Sequence, residues 1–193
     1  PVNVDTSGYS GEWNDIVVDA DGNPHISHYA AQQTEIRHVW STAQGADDWD
    51  MEVVMTTSPG YYTGTYTSIA VDDAGKLYTS FFAGNLTVGV KADGVWQFTV
   101  ADTVQANYTS LVVSPQGAWH VAYYDPTWDD LRYASSELRG YAAKDTIAYD
   151  SSVVGEYASV AMGPNGKAHA AYWDQTNTSL KYAVRAQGQW FHT

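Results

Sequence analysis

The chain has 193 residues, with 22 acidic against 9 basic side chains, a formal net charge of −13 and no cysteine. That charge repels phosphate backbones and anionic lipid surfaces, so nucleic acid is not expected as a partner; without cysteine there are no disulfides, thiolate metal sites or cysteine nucleophiles. Apolar residues make up 44%, with 15 Tyr and 8 Trp, too much aromatic surface for a disordered chain, yet no run approaches the roughly 18 apolar residues of a membrane span. No membrane insertion is therefore expected, and no secretory leader is visible.

Taken in order, the chain repeats itself four times. The first unit reads WNDIVVDADGNPHISHYAAQQTEIRHVW from Trp13 and the second YTSIAVDDAGKLYTSFFAGNLTVGV from Tyr66. The third reads YTSLVVSPQGAWHVAYYDPTWDDLRY from Tyr108 and the fourth YASVAMGPNGKAHAAYWDQTNTSLKYAV from Tyr157. Turn glycines align at Gly22, Gly75, Gly117 and Gly166, spaced by 53, 42 and 49 residues. Alternation such as Ser68-Ile69-Ala70-Val71 predicts strands on either side of each turn, and no segment shows a helical period with caps. A further strand closes each unit, opened by Trp49, Trp96 and Trp190, with Tyr141 in that place in the third.

Four antiparallel strands in about 48 residues is the size of a propeller blade. The prediction is an all-β fold, one β-propeller domain over 1–193 with four four-stranded blades at approximately 13–60, 61–104, 105–152 and 153–193 plus 1–12. The last unit stops at Thr193 just inside its final strand, and Pro1–Asp5 reads as the remainder of such a strand. Counted through that join, Gly166 to Gly22 is 49 residues, one repeat length. The termini are therefore expected to join in one blade, which removes open sheet edges. A closed four-bladed ring satisfies this, and so does a homodimer in which two chains form an eight-bladed ring.

The phrases HVAYYD with LRYA, and HAAYWD with LKYA, each following a turn glycine, resemble a blade repeat of secreted bacterial β-propeller proteins. They are distantly similar to blades of propeller lectins of the fucose-binding and tachylectin-like groups. The resemblance spans nearly the whole chain. It implies the fold and a secreted or cell-surface setting, but only loosely a function, because such repeats occur in lectins, glycan-cleaving enzymes and surface proteins.

Strand one and strand two of a blade begin and end on the same face. That face collects Trp13, Tyr108 and Tyr157 at the strand starts, together with Glu12, Asn14, Asp15, Tyr66 and Glu156. The third unit adds Tyr124, Asp125, Trp128, Asp129 and Asp130, and the fourth Trp173, Asp174, Gln175 and Asn177. Flat rings beside carboxylates and amides suit a sugar, whose C–H face packs on an aromatic while its hydroxyls need acceptors. The expected ligand-binding set is Trp128, Asp125, Asp129, Tyr124, Trp173, Asp174, Asn177, Trp13, Tyr108 and Tyr157. Packing between blades and turn capping is the competing reading for each. Trp128, in the loop Asp125–Asp130 that reads as the distinctive insert of the third unit, stands out.

Other motifs read as scaffold. His25, His120 and His169 recur just after the turn, with Tyr78 in the same place, which fits a structural hydrogen-bonding slot better than a metal ring. Asp19-Ala20-Asp21-Gly22-Asn23 resembles a calcium loop, but only the glycine persists across the four turns. No cofactor or metal is expected. No nucleophile elbow, zinc-protease or phosphate-loop motif occurs. The expected function is non-catalytic, lectin-like carbohydrate binding to a glycan or small polar ligand. The alternatives are a protein-interaction or assembly module without small ligand, and a glycan-active hydrolase or lyase.

Overall fold

Short alternating segments separated by glycine turns leave each strand with one face to bury, and the chain meets that need by stacking sheets. A computed structural model describes residues 2–42, 48–58, 63–138, 144–149 and 153–192. It contains sixteen strands in four antiparallel sheets, and the described residues contain no helix. Blade one is β1 (Ser10–Val18), β2 (Pro24–Ala30), β3 (Glu35–Trp40) and β4 (Asp50–Thr56). Blade two is β5 (Thr65–Val71), β6 (Leu77–Phe82), β7 (Leu86–Ala92) and β8 (Val95–Asp102). Blade three is β9 (Asn107–Val113), β10 (Trp119–Asp125), β11 (Asp130–Ser135) and β12 (Lys144–Ala148). Blade four is β13 (Val154–Met162), β14 (Ala168–Asp174), β15 (Ser179–Ala186) and β16 (Gln189–His192). The strands of each blade pair in sequence order, as a propeller requires. Tyr141 lies outside the described residues.

The first hairpin of every blade turns through a glycine at positive φ, 85° at Gly22, 78° at Gly75, 77° at Gly117 and 73° at Gly166, a region closed to most side chains. The preceding side chain finishes the turn. Asp19 Oδ1 accepts the amides of Asp21 and Asn23, and Asp72 Oδ1 those of Ala74 and Lys76. Ser114 Oγ accepts the amide of Ala118. These carboxylates are spent on the hairpin, the turn chemistry expected of Asp.

The blades join along their innermost strands, in the order β1–β5–β9–β13. Each seam has a side-chain staple from one inner strand to the next. Asp15 Oδ2 accepts the Ile69 amide at 3.0 Å, Ser68 Oγ the Leu111 amide at 3.1 Å, and Ser110 Oγ the Val160 amide at 3.0 Å. Apolar clusters fill the space behind them. Ile36 and Phe81 meet in the first seam, Leu86, Leu111 and Tyr123 in the second, and Leu131, Tyr133, Val160 and Tyr172 in the third. The first seam is the most polar. There Asp19, His25, His38 and Glu52 form a chain, with His25 Nδ1 at 2.9 Å from His38 Nε2 and His38 Nδ1 at 2.9 Å from Glu52. Lys91 and Trp96 Nε1 close on the same Glu52 oxygen. The recurring histidines fill a hydrogen-bonding slot: His120 meets the Tyr133 hydroxyl and His169 the Tyr182 hydroxyl. His38 pairs with His25, while His28 faces Asp5.

A second latch ties the blades at their outer side. Asp102, the last residue of blade two, is buried in blade three, where it accepts the Tyr123 hydroxyl at 2.6 Å and pairs with Lys144 at 2.5 Å and Arg132 at 3.6 Å. Asp5 holds the same place on blade one, 2.8 Å from Arg37. The expected joint strand is not formed within one chain. β16 alone makes the outer strand of blade four, and residues 2–9 run along blade one without strand pairing.

Two stability measurements check this scheme. Asp102→Ala leaves the Tyr123 hydroxyl and Lys144 without their buried acceptor, and Arg132 with Asp125 alone, and is expected to lower unfolding stability by about 3 kcal/mol in urea titration. Burial holds His38 neutral, down to about 4 from the ordinary 6.5. The unfolded chain therefore binds the extra proton, and stability is expected to fall as pH drops from 6.5 towards 4, by on the order of 3 kcal/mol from this group. His38→Gln should flatten that part of the pH profile.

Candidate functional site

One inner-strand position departs from regular strand geometry in every blade. Trp13, Tyr66, Tyr108 and Tyr157 have φ of 46°, 56°, 52° and 54°, and the strand register slips beside each. An aromatic at positive φ costs on the order of 1–3 kcal/mol. The bulge turns each ring out of the sheet onto one face of the molecule. Neighbouring blades hold it there: Thr67 Oγ1 donates to the Trp13 carbonyl at 2.6 Å, and Thr109 Oγ1 donates to that of Tyr66.

The four rings form a continuous arc. Centroid separations are 5.6 Å from Trp13 to Tyr66, 4.8 Å from Tyr66 to Tyr108 and 4.6 Å from Tyr108 to Tyr157. Second-strand aromatics support the arc from outside, Tyr29 at 5.9 Å from Trp13 and Tyr124 at 6.3 Å from Tyr108. The Tyr124 hydroxyl donates to Asp129 Oδ1 at 2.5 Å. Burial raises the Tyr108 phenol above its ordinary range, reinforced by the hydrogen bond with Tyr157 and the charge of Glu156. Burial and the bond to Asp129 raise Tyr124 likewise. These phenols are neutral donors at any physiological pH, and Tyr157, 67% exposed, is open to solvent.

The structure thus brings Trp13, Tyr108, Tyr157, Tyr124 and Asp129 together. Trp173 sits on the same face, paired in register with Glu156. Trp128 is 66% exposed at the loop beside Asp129 and stacks on no ring among the described residues. Asp125 and Asp174 stand differently. Asp125 is fully buried, accepts the Thr127 amide and forms an ion pair with Arg132 Nε at 2.8 Å. Asp174 accepts the Asn177 amide at 2.9 Å and the Asn177 side-chain amide at 2.8 Å, which holds its carboxyl below the usual carboxylate range. Asp125, Asp174 and Asn177 thus each hold their own turn, and Asp174 also borders an open cavity beside Tyr172 and Lys181. Nor is Asp125–Asp130 an insert. The same four-residue turn recurs at Ala31–Thr34 and Gln175–Thr178, each ending at positive φ on Thr34, Asp129 or Thr178. Tyr66 and Tyr29 complete the arc; the alignment of Tyr66 with Tyr108 and Tyr157 was the sequence signal for the first, and Tyr29 had none. The described residues hold no cluster of three His, Asp or Glu side chains suited to a metal.

No protein-family model matches the sequence, and no curated protein does. Solved structures match the fold. The SapL1 lectin, solved with α-methyl fucoside, superposes with a TM-score of 0.66 at 11% identity, over 93% of this chain and 62% of its own. An α-L-arabinofuranosidase from Podospora anserina, solved with cellotriose, gives 0.61 at 13% identity, over 99% of this chain and 70% of its own. The leech intramolecular trans-sialidase gives 0.57 at 15% identity, over 92% of this chain, which spans about a third (31%) of that enzyme. The chain is a β-propeller arc, a class that the fold alone defines.

The loop's two roles are separable by mutation. Asp125→Ala is expected to cost about 3 kcal/mol, because Arg132 loses a buried partner. Trp128→Ala is expected to shift stability by less than about 0.5 kcal/mol. Thermal unfolding of the two variants measures the difference.

Proposed function

We propose that the protein is a non-catalytic, lectin-like propeller that binds neutral glycans on the face carrying the Trp13–Tyr66–Tyr108–Tyr157 arc, in a secreted or cell-surface setting. The observation that carries this reading is the arc itself. Four strained backbone positions present four rings in one continuous surface, and strain repeated at equivalent places is characteristic of a functional constraint. Stacked rings offer the apolar platform that a pyranose C–H face needs, and the neutral phenols with Asp129 and Glu156 offer donors and acceptors for its hydroxyls. Carboxylates at the arc disfavour acidic sugars. The fold neighbours include a lectin solved with a fucoside, which supports the same reading.

A hydrolase would need two free carboxylates flanking the sugar bond, about 5–10 Å apart. Asp125 is paired with Arg132, and Asp174 accepts the Asn177 side-chain amide. On this reading a neutral-oligosaccharide array gives saturable binding. Trp128→Ala and Tyr157→Ala, both at exposed positions, each weaken it at least tenfold, by roughly 1.4 kcal/mol or more, with unchanged melting. Release of reducing ends or unsaturated products from the bound sugars, or no binding across the array, would contradict it.

A further inference from the structure

The three seams between blades one and four show what each blade face is built to meet, and the two outermost faces are left without it. Strand-three residues Ile36, Leu86 and Leu131 are each 0% exposed because the next blade covers them. Leu180 holds the same register position in blade four, opposite Trp173 as Leu131 is opposite Tyr124, and is 79% exposed. On the other side, Ile69, Leu111 and Val160 are 4–5% exposed against the preceding blade, while Ile16, their counterpart in blade one, is 59% exposed. The staples show the same break. Asp15, Ser68 and Ser110 each accept an amide from the following blade. Ser159, next in the series, is exposed and has no partner among the described residues. The Ile16 amide, first in the series, donates to the side chain of its own neighbour Asp15 and meets no acceptor from another blade among the described residues.

Shape agrees. In blade four a Cβ on Gly155 would lie 2.6 Å from Leu131 Cβ, so the leucine seats directly on the glycine. Gly11 is the blade-one counterpart of Gly155, two residues before the bulge aromatic, and nothing lies within 4 Å of its Cβ position. A cavity of about 340 Å³ opens there, lined by Gly11, Asn14, Ile26, His28 and the segment Val2–Asp5. β15 also has no outer partner from Ser179 to Tyr182 among the described residues.

We propose that a second copy of this chain occupies both faces, giving a two-fold eight-bladed ring with two identical seams. Leu180 of each copy enters the cavity in front of Gly11 of the other, and Ser159 accepts the Ile16 amide across the seam. Val2–Val4 pair with the free edge of β15, and the following Asp5 stays latched to Arg37, as Asp102 passes from blade two into blade three. The chain itself carries both a blade-one face and a blade-four face, so a second copy covers both surfaces at once. Two-fold closure leaves no unpaired face and no filament. Each copy carries a charge of −13, so the association strengthens as salt screens the repulsion.

Light scattering of the 193-residue protein at micromolar concentration tests this. The expected mass is about 42 kDa against the 21.1 kDa of one chain, with a dimer fraction that rises between low and moderate salt. Leu180→Asp and Ile16→Asp alter side chains that are exposed within one chain, so each is expected to retain the β-sheet circular dichroism spectrum and elute at the single-chain mass. Because the chain has no cysteine, the double variant Ile16→Cys, Ser159→Cys reports the seam directly. Oxidation to a covalent dimer supports the proposal. Oxidation within one chain, which means the ring closes on itself, overturns it. So do a ladder of higher oligomers and an uncross-linked protein of single-chain mass whose faces are covered by something else.

Discussion

The fold depends on the staple between neighbouring inner strands, in which a side-chain oxygen of one blade accepts the backbone amide of the next. Inner strands of adjacent propeller blades do not pair as a sheet, so their facing amides need acceptors from side chains. Asp15, Ser68 and Ser110 supply them at intervals set by the repeat. Once the staples fix the inner strands, the apolar side chains behind them have only one place to go. Ile36, Leu86 and Leu131 are driven onto the following blade, and burying one such side chain contributes roughly 1.5–3 kcal/mol.

The same constraint makes the aromatic arc affordable. A tryptophan or tyrosine at positive φ is unfavourable alone, and it persists because the residues on either side are held. Thr67 fixes the Trp13 carbonyl, and two residues beyond the bulges of blades one to three the staple fixes the strand again. Fold and site are thus one system: the seam geometry that orders the blades also sets the 4.6–5.6 Å spacing of the rings. At the two outermost faces the same geometry is present on one side only, which is why Leu180 and Ile16 stand exposed.

Much of this was legible in the sequence, and the reasons are physical. Gly22, Gly75, Gly117 and Gly166 mark turns that only glycine takes easily, so the period and the hairpins could be read directly. The histidine slot could be read because Tyr78 stands in for a histidine at one repeat, and both side chains hydrogen-bond there. The turn-holding contacts of Asp125, Asp174 and Asn177 could not be read, because a carboxylate or amide beside a turn looks the same whether it faces a ligand or caps the chain. Its direction depends on register and on a distant partner such as Arg132. The Asp125–Asp130 loop seemed distinctive through composition, while its length and backbone are those of two sibling loops. The bulges were hidden altogether, since aromatic residues at positive φ run against propensity.

The central claim is that the bulged aromatic arc is the binding surface. Backbone amide NMR during titration with a neutral oligosaccharide tests it most directly. The account predicts that the largest shift changes fall on and around Trp13, Tyr66, Tyr108, Asp129 and Tyr157, with the hairpin turns at Gly22, Gly75, Gly117 and Gly166 unmoved. Shift changes concentrated at those turns or along the outer strands, with the arc silent, would contradict it.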